Sequence, residues 1–276
     1  MTETAIPKTV AKTGLLPGRK EVGLTICVPN WNHRQFLPRS LSSALRGLRA
    51  LAETGVAGEI VVVDDASLDG SAEYLFNLRT FYPDIAIRTL LRPENGGPAA
   101  ARNLGLWEAR YRTVCLLDAD NELKSENLPL FYRTMIETGA ALVYGNLIVR
   151  EGGKPVSLVS NECISARIFR ANYIDNFSLI DATQALECGG FLTDRRWMSN
   201  EDWELFLHLL NDGRLTVFVP VVLGYYYQNP ASLSADLTKM LKIGEQVQRV
   251  FDRGTLRSAD NELIGRMYHP HIGWII

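Results

Sequence analysis

Short apolar runs at residues 24–28, 60–63 and 114–117 each end in polar residues, and segments of helical period separate them. The runs are nearly continuous in apolar side chains, as in strands covered on both faces. Between them Leu37, Leu41, Ala44, Leu45, Leu48 and Leu51 recur at helical spacing, with Gly55 as a stop. Residues 71–81 and 98–110 read as two more helices. Pro98 falls in a first turn, where a missing N–H costs nothing. Strands are expected at 85–91 and 141–149, and a helix at 128–137. This alternation predicts an α/β fold, a mostly parallel sheet flanked by helices. In such sheets ligands sit beyond the carboxyl ends of the strands. The strand ends Pro29-Asn30-Trp31-Asn32, Asp64-Asp65 and Asp118-Ala119-Asp120 therefore converge on one edge.

Composition narrows the function classes. Over 276 residues, 29 Lys and Arg oppose 31 Asp and Glu, a net charge of −2 that argues against a general nucleic-acid binder. No apolar run approaches the roughly 20 residues needed to span a bilayer. The four cysteines (Cys27, Cys115, Cys163 and Cys188) form no C-x-x-C pair, and the histidines are not spaced to complete a zinc site. Cys27 and Cys115 lie inside apolar runs and read as reduced, buried thiols of a cytosolic protein.

Residues 1–20 carry no period and read as a flexible leader. After residue 150 the alternation weakens, and Gly152-Gly153 marks a turn. A helix is expected from Glu201 to Leu210, a strand at 215–223 and an amphipathic helix at 235–251. The apolar, aromatic tail at 264–276 is too short to cross a membrane.

The acids are the first candidates for chemistry. Asp118 and Asp120, alternate residues of an extended segment, can face one cation, and oxygen donors suit Mg²⁺ or Mn²⁺; a simple turn is the plainer reading. Asp64 and Asp65 would repel unless something binds them, and a carboxylate can accept N–H or O–H bonds from a nucleoside. Here too a loop that caps the next helix is the alternative. The segment Gly96-Gly97-Pro98-Ala99-Ala100-Ala101-Arg102 opens a helix with little side-chain bulk, which suits close approach to an anion. Arg102 can add a charge-assisted bond to a phosphate or a base.

On the helix from Glu201, Glu201, Glu204 and His208 share a polar stripe. Asp202 instead lines up with Leu205, Phe206 and Leu209. An acid in line with an apolar face is either a capping-box partner of Ser199 or a cleft-facing general base. Gly189-Gly190-Phe191 reads as a turn or as a close-approach loop beside a sugar, with Trp31 or Trp197 as a stacking surface.

Taken in order, these motifs resemble the family 2 glycosyltransferases, the inverting family with the GT-A (Rossmann-like) nucleotide-sugar fold. The matching stretches open with Cys27-Val28-Pro29-Asn30-Trp31-Asn32, Val61-Val62-Val63-Asp64-Asp65 and Gly97-Pro98-Ala99-Ala100-Ala101-Arg102-Asn103. They close with Leu116-Leu117-Asp118-Ala119-Asp120, and with Gly189-Gly190-Phe191 followed by Asn200-Glu201-Asp202-Trp203. The resemblance implies that Pro29, Asn32, Asp64, Asp65, Arg102 and Asp118 contact a nucleotide, with Gly189 and Gly190 beside the sugar. It implies that Asp118 and Asp120 hold Mg²⁺ or Mn²⁺, and that Asp202 is the catalytic base, with Glu201 the runner-up. The implied partners are a nucleotide-sugar donor, expected to be a UDP-sugar, and a saccharide, lipid-linked or other hydroxyl acceptor. The implied setting is the cytoplasm, with room for peripheral contact at the inner face of a membrane.

On this reading residues 21–150 form the nucleotide-sugar half and 151–235 the acceptor and catalytic-base half. Residues 236–276 add a C-terminal helix and tail. The family's Tyr-Arg-x-His is missing; Tyr226-Tyr227-Gln228-Asn229 stands in its place, before Ser232-Leu233-Ser234. Asn121 follows the D-x-D where an acid is common. A sugar nucleotidyltransferase and a non-catalytic nucleotide-sugar-binding module are the alternatives.

Overall fold

The computed structural model describes residues 20–163, 166–169, 171–194, 200–228, 267–269 and 273–275. The leader before Lys20, Trp197, Ser199, Asn229, the 232–234 segment and the helix expected at 235–251 lie outside the described residues.

Strands β1 (Glu21–Asn30), β2 (Gly58–Asp64), β3 (Ala86–Leu91) and β4 (Tyr111–Leu116) are parallel, in the spatial order β3-β2-β1-β4. Successive residues of each face opposite sides of the sheet. Leu24, Ile26, Val28, Ile60, Val62 and Cys115 enter one core, beneath helices α1 (Leu37–Ala52), α2 (Ser71–Phe81) and α4 (Leu128–Thr138). Cys27, Val61, Val63, Val114 and Leu116 enter the other, beneath α3 (Pro98–Glu108), α5 (Ala182–Glu187) and α6 (Glu201–Asn211). All six apolar residues of the α1 stripe are buried. Helix α3 rests directly on β1 because Gly105 has no side chain; a Cβ there would collide with the sulfur of Cys27. Cys27 and Cys115 are buried and unpaired.

The chain moves outward from β1 through β2 to β3, then returns to place β4 on the far side of β1. The carboxyl ends of β1 and β4 are therefore neighbours from which the connections diverge in opposite directions, and that divergence opens a crevice.

Beyond β4 the sheet is mixed. Strand β8 (Leu179–Asp181) runs antiparallel between β4 and β6 (Leu142–Glu151), and β6 pairs in parallel with β9 (Thr216–Tyr227). The two-residue β5 (Glu122–Leu123) pairs with β9. The solvent-exposed β7 (Lys154–Val159) pairs antiparallel with β6. Gly152 and Gly153 turn between them with φ of 54° and 83°, as a tight hairpin requires. Strands β10 (Met267–His269) and β11 (Gly273–Ile275) extend the far edge, so part of the apolar tail is sheet. The β6–β9 register shifts on both sides of Asn146, and such an irregularity bends a sheet. Gly145 permits it, since a Cβ would strike the ring of Phe131 and sit 2.7 Å from the Val221 carbonyl. Among the described residues no helix is long and apolar enough to cross a membrane.

Candidate active site

The ends of β1 and β2 are laced together by their own polar residues. Asn30 Nδ2 donates to Asp64 Oδ1 at 2.6 Å and to Ser67 Oγ at 3.1 Å. The Ser67 amide donates to Asp64 Oδ2 at 3.1 Å. Asn32 adopts φ 54°, its amide donates to Ser67 Oγ, and its Oδ1 accepts the Leu68 amide at 2.8 Å. Beside them Pro29 is half-buried and Trp31 exposed. The adjacent acid, Asp65, faces the other way. Its carboxylate accepts the amides of Gly96 and Gly97, the latter at 2.8 Å, and pairs with Arg92. Asp65 thus bolts the glycine loop that leads into α3. The repulsion expected of neighbouring acids is relieved within the protein itself.

Two residues after β4 the chain turns, closed by the Asn121 amide donating to the Asp118 carbonyl at 3.0 Å. Asp118-Ala119-Asp120 is therefore not an extended segment, as alternation along a strand suggests. The turn still leaves the two carboxylates under mutual influence. The carboxyl of Asp120 is held above the usual range by burial and by Asp118, while His33 and Arg39 pull the other way.

The resemblance implies a nucleotide contact for Arg102; the structure gives its guanidinium other partners. Nη2 donates to Asp118 Oδ1 at 2.8 Å and Nη1 to Glu201 Oε1 at 2.9 Å. The Arg102 side chain is only 7% exposed, so burial and two carboxylates commit it to this bridge. Glu201 accordingly leaves the polar stripe, where Glu204 and His208 pair at 2.9 Å, and is buried beneath α3.

Asp202 is half-buried at the first turn of α6. Its Oδ1 accepts the Trp203 amide at 2.7 Å and its Oδ2 accepts Asn172 Nδ2 at 3.3 Å. Burial pushes its carboxyl up to about 8; Glu201 and Asp175 add to the rise, and the Trp203 amide and Arg102 oppose it. Asp175, on the loop that also carries Asn172, is pushed to about 6 by burial, with Asp118 and Asp120 adding to it. Asp175 thus links the acids of the turn after β4, Asp118 and Asp120, to Asp202 at the start of α6.

Gly189 and Gly190 follow α5 with φ of 100° and 71°, and their amides close its last turn on Leu186 and Ala185. A small hollow separates the N-terminus of α3, at 96–99, from residues 192–194, with Glu201 on its wall. It therefore lies between the glycine loop held by Asp65 and the Glu201 end of the Arg102 bridge.

Residues 25–191 match the family model described as Glycosyl transferase family 2. The chain belongs to that family.

Among its relatives is the succinoglycan biosynthesis protein ExoO of Rhizobium meliloti, 30% identical over 138 residues, which are 50% of this chain and 37% of ExoO. A dolichyl-phosphate β-glucosyltransferase of Trichomonas vaginalis is 32% identical over 143 residues, 50% of this chain and 44% of the relative. The matches thus span less than half of these relatives' length. Similar folds include S. aureus TarS 1–349 in complex with UDP-GlcNAc, with a TM-score of 0.65 and 16% identity over 83% of this chain and 71% of TarS. Another is the mannosyltransferase PcManGT of Pyrobaculum calidifontis in complex with GDP-Man and Mn²⁺, with a TM-score of 0.66 and 17% identity over 88% of this chain and 67% of that one. The mixed sheet with helices on both faces is the GT-A fold of these family neighbours.

Asp118 and Asp120 fit a divalent cation by their chemistry. They are hard oxygen donors, and a cation would offset the burial and the Asp118 charge that together raise the Asp120 carboxyl. Among the described residues no group of three or more His, Cys, Asp or Glu is placed to hold a metal. The two aspartates would thus leave coordination positions to phosphate oxygens and water, the usual arrangement for Mg²⁺.

Reading the family motifs missed Asn172, Asp175 and Arg39. The first two lie where the sequence has no period. Arg39 falls between Leu37 and Leu41 of the apolar stripe of α1 and looks like an ordinary surface cation, yet it donates to the Asp120 carbonyl.

Proposed function

We propose that this chain transfers a sugar from a nucleotide-sugar, a UDP-sugar, to an acceptor hydroxyl with inversion at the anomeric carbon. The observation that carries this reading is Asp202: a half-buried carboxylate raised to about 8, linked electrostatically through Asp175 to Asp118 and Asp120. A base with a pKa near neutrality balances availability against proton-accepting strength.

Asp202 rather than Glu201 is the base, because Glu201 is spent on Arg102 while Asp202 keeps partial exposure. Asp202 accepts the acceptor's hydroxyl proton as that oxygen bonds to the anomeric carbon, and the bond from that carbon to the diphosphate breaks on the opposite face. Asp118 and Asp120 would hold Mg²⁺ or Mn²⁺, which would supply charge neutralisation at the departing diphosphate. Arg102 positions Asp118 and Glu201. Asp64 and Asn32 shape the nucleoside end of the crevice together with Pro29. Asp65 sets the glycine loop, and Gly189 and Gly190 border the sugar. The acceptor is a saccharide or a lipid-linked hydroxyl compound, in keeping with the polysaccharide and dolichyl-phosphate names among the relatives.

Thermal-shift measurements with UDP and GDP, each with and without Mn²⁺, test donor and cation together, since a ligand bound only to the native state raises the melting temperature. UDP with Mn²⁺ is expected to give the larger shift; a shift with GDP alone overturns the choice of base. Asp202→Asn is expected to abolish turnover while UDP still binds, and near-normal turnover removes Asp202 as the base.

A further inference from the structure

The crevice has a second wall of opposite charge. Arg39, in the first turn of α1, stacks its guanidinium 3.5 Å from the centre of the Tyr227 ring and donates to the Asp120 carbonyl. Arg150, near the end of β6, lies 4.1 Å from the Tyr225 ring and 5.9 Å from that of Tyr227, and its Nη1 donates to Tyr227 Oη at 3.5 Å. The bend at Asn146 and the pairing of β5 with β9 bring these tyrosines beside Asp120. The Tyr227 amide donates to Asn121 Oδ1 at 3.1 Å.

Two guanidinium groups thus meet at one tyrosine with little to balance them. Among the described residues neither Arg39 nor Arg150 has a carboxylate within ion-pair distance, whereas Arg46, Arg88, Arg92, Arg102 and Arg112 each have at least one. The nearby acid, Glu122, accepts Tyr227 Oη at 2.8 Å and already faces Arg46 at 3.5 Å. Among the described residues Arg39 Nε, Arg150 Nε and Asn121 Nδ2 are buried donors without a partner. The Asn121 orientation is fixed, because its oxygen takes the Tyr227 amide. Partly buried cations with unmet donors call for an anion. Ring stacking holds both planes while leaving N–H edges available, and guanidinium geometry matches phosphate oxygens.

We propose that Arg39 and Arg150, held on Tyr227 and Tyr225, form a phosphate-binding wall of the crevice, separate from the Asp118–Asp120 wall. The phosphate belongs to the donor's diphosphate or to a phosphorylated acceptor; only this choice of source rests on the transferase reading above.

The test is calorimetric titration of the full chain with inorganic diphosphate, UDP, uridine and decyl phosphate. Wild type is compared with Arg150→Gln, Arg39→Gln and the conservative Arg150→Lys. Each Gln variant is expected to weaken diphosphate binding by about tenfold or more, with Arg150→Lys in between. A parallel loss for UDP but not uridine assigns the donor's diphosphate. Retained UDP affinity with lost decyl phosphate binding assigns an acceptor phosphate. Arginine-dependent diphosphate binding in a chain that ignores UDP keeps the site and overturns the donor reading. Wild-type affinity for all three phosphates in a folded Arg150→Gln variant overturns the site, as does a wild type that binds none of them. Arg150 has no bond to the Asp118–Asp120 turn, so its variants stay informative even if Arg39→Gln fails to fold.

Discussion

The side-chain amide of Asn103 and the backbone of Phe191 exchange two hydrogen bonds, each 2.7 Å long. The pair ties the loop after α5 to the middle of α3, 88 residues away in sequence. Gly190 is pressed against this clasp, since a Cβ there would lie 2.6 Å from Asn103 Oδ1 in a left-handed conformation. Asn103→Ala strands two buried backbone groups, at roughly 1–3 kcal/mol each. The expected cost is therefore about 2–6 kcal/mol in urea denaturation, and a loss below about 1 kcal/mol contradicts the clasp. Gly190→Ala is expected to destabilise as well, through both its backbone conformation and the contact.

Arg102 is the one cation between Asp118 and Glu201 in the described site, and breaking such a buried pair from one side costs about 3–5 kcal/mol. Arg102→Met is expected to lose stability on that scale. Glu201→Gln keeps an acceptor for the guanidinium and is expected to lose less. A double-mutant cycle over Arg102 and Glu201 measures the coupling; additive effects contradict the bridge.

The pH dependence follows from Asp202. Its raised carboxyl is protonated below about 8 and becomes a base above it. On the proposed mechanism kcat/KM climbs about tenfold per pH unit on the acid side and levels off near that value. The folded state holds this proton more tightly than the unfolded state does. The contribution to stability is therefore greatest below the ordinary carboxylate range and is lost as pH rises toward about 8. Glu201→Gln removes a like charge and is expected to move the inflection down. Asn172→Leu removes an N–H that favours the ionised form and is expected to move it up. A pH–rate profile that is flat from 5 to 9 contradicts the assignment.

Removal of divalent cations is expected to stop transfer, and Asp120→Asn to erase the part of the UDP-induced melting shift that depends on Mn²⁺. Undiminished transfer in EDTA removes the aspartate pair from this role.

The parallel half of the fold was legible because its strands are apolar on both faces and its helices periodic; α1 follows its leucine stripe from Leu37 to Ala52. The second half was not. Strand β8 has three residues and α5 six, too few for a period to show, and β7 is exposed throughout. The acids could be named from their strand ends, but their partners could not. Arg102 finds Glu201 across 99 residues, and Asn172 reaches Asp202 across 30, so neither spacing leaves a local mark. Arg102 looks the same in sequence whether it grips a ligand or two carboxylates.

Because β8 threads between β4 and β6, the two halves of the chain are welded into one slab. The turn after β4 that carries Asp118 and the core beneath α6 belong to this one slab, so on the proposed mechanism Asp202 and the Asp118–Asp120 pair are held at a fixed spacing. On that mechanism, accommodation of different sugars falls to the rim and leaves the reacting geometry untouched.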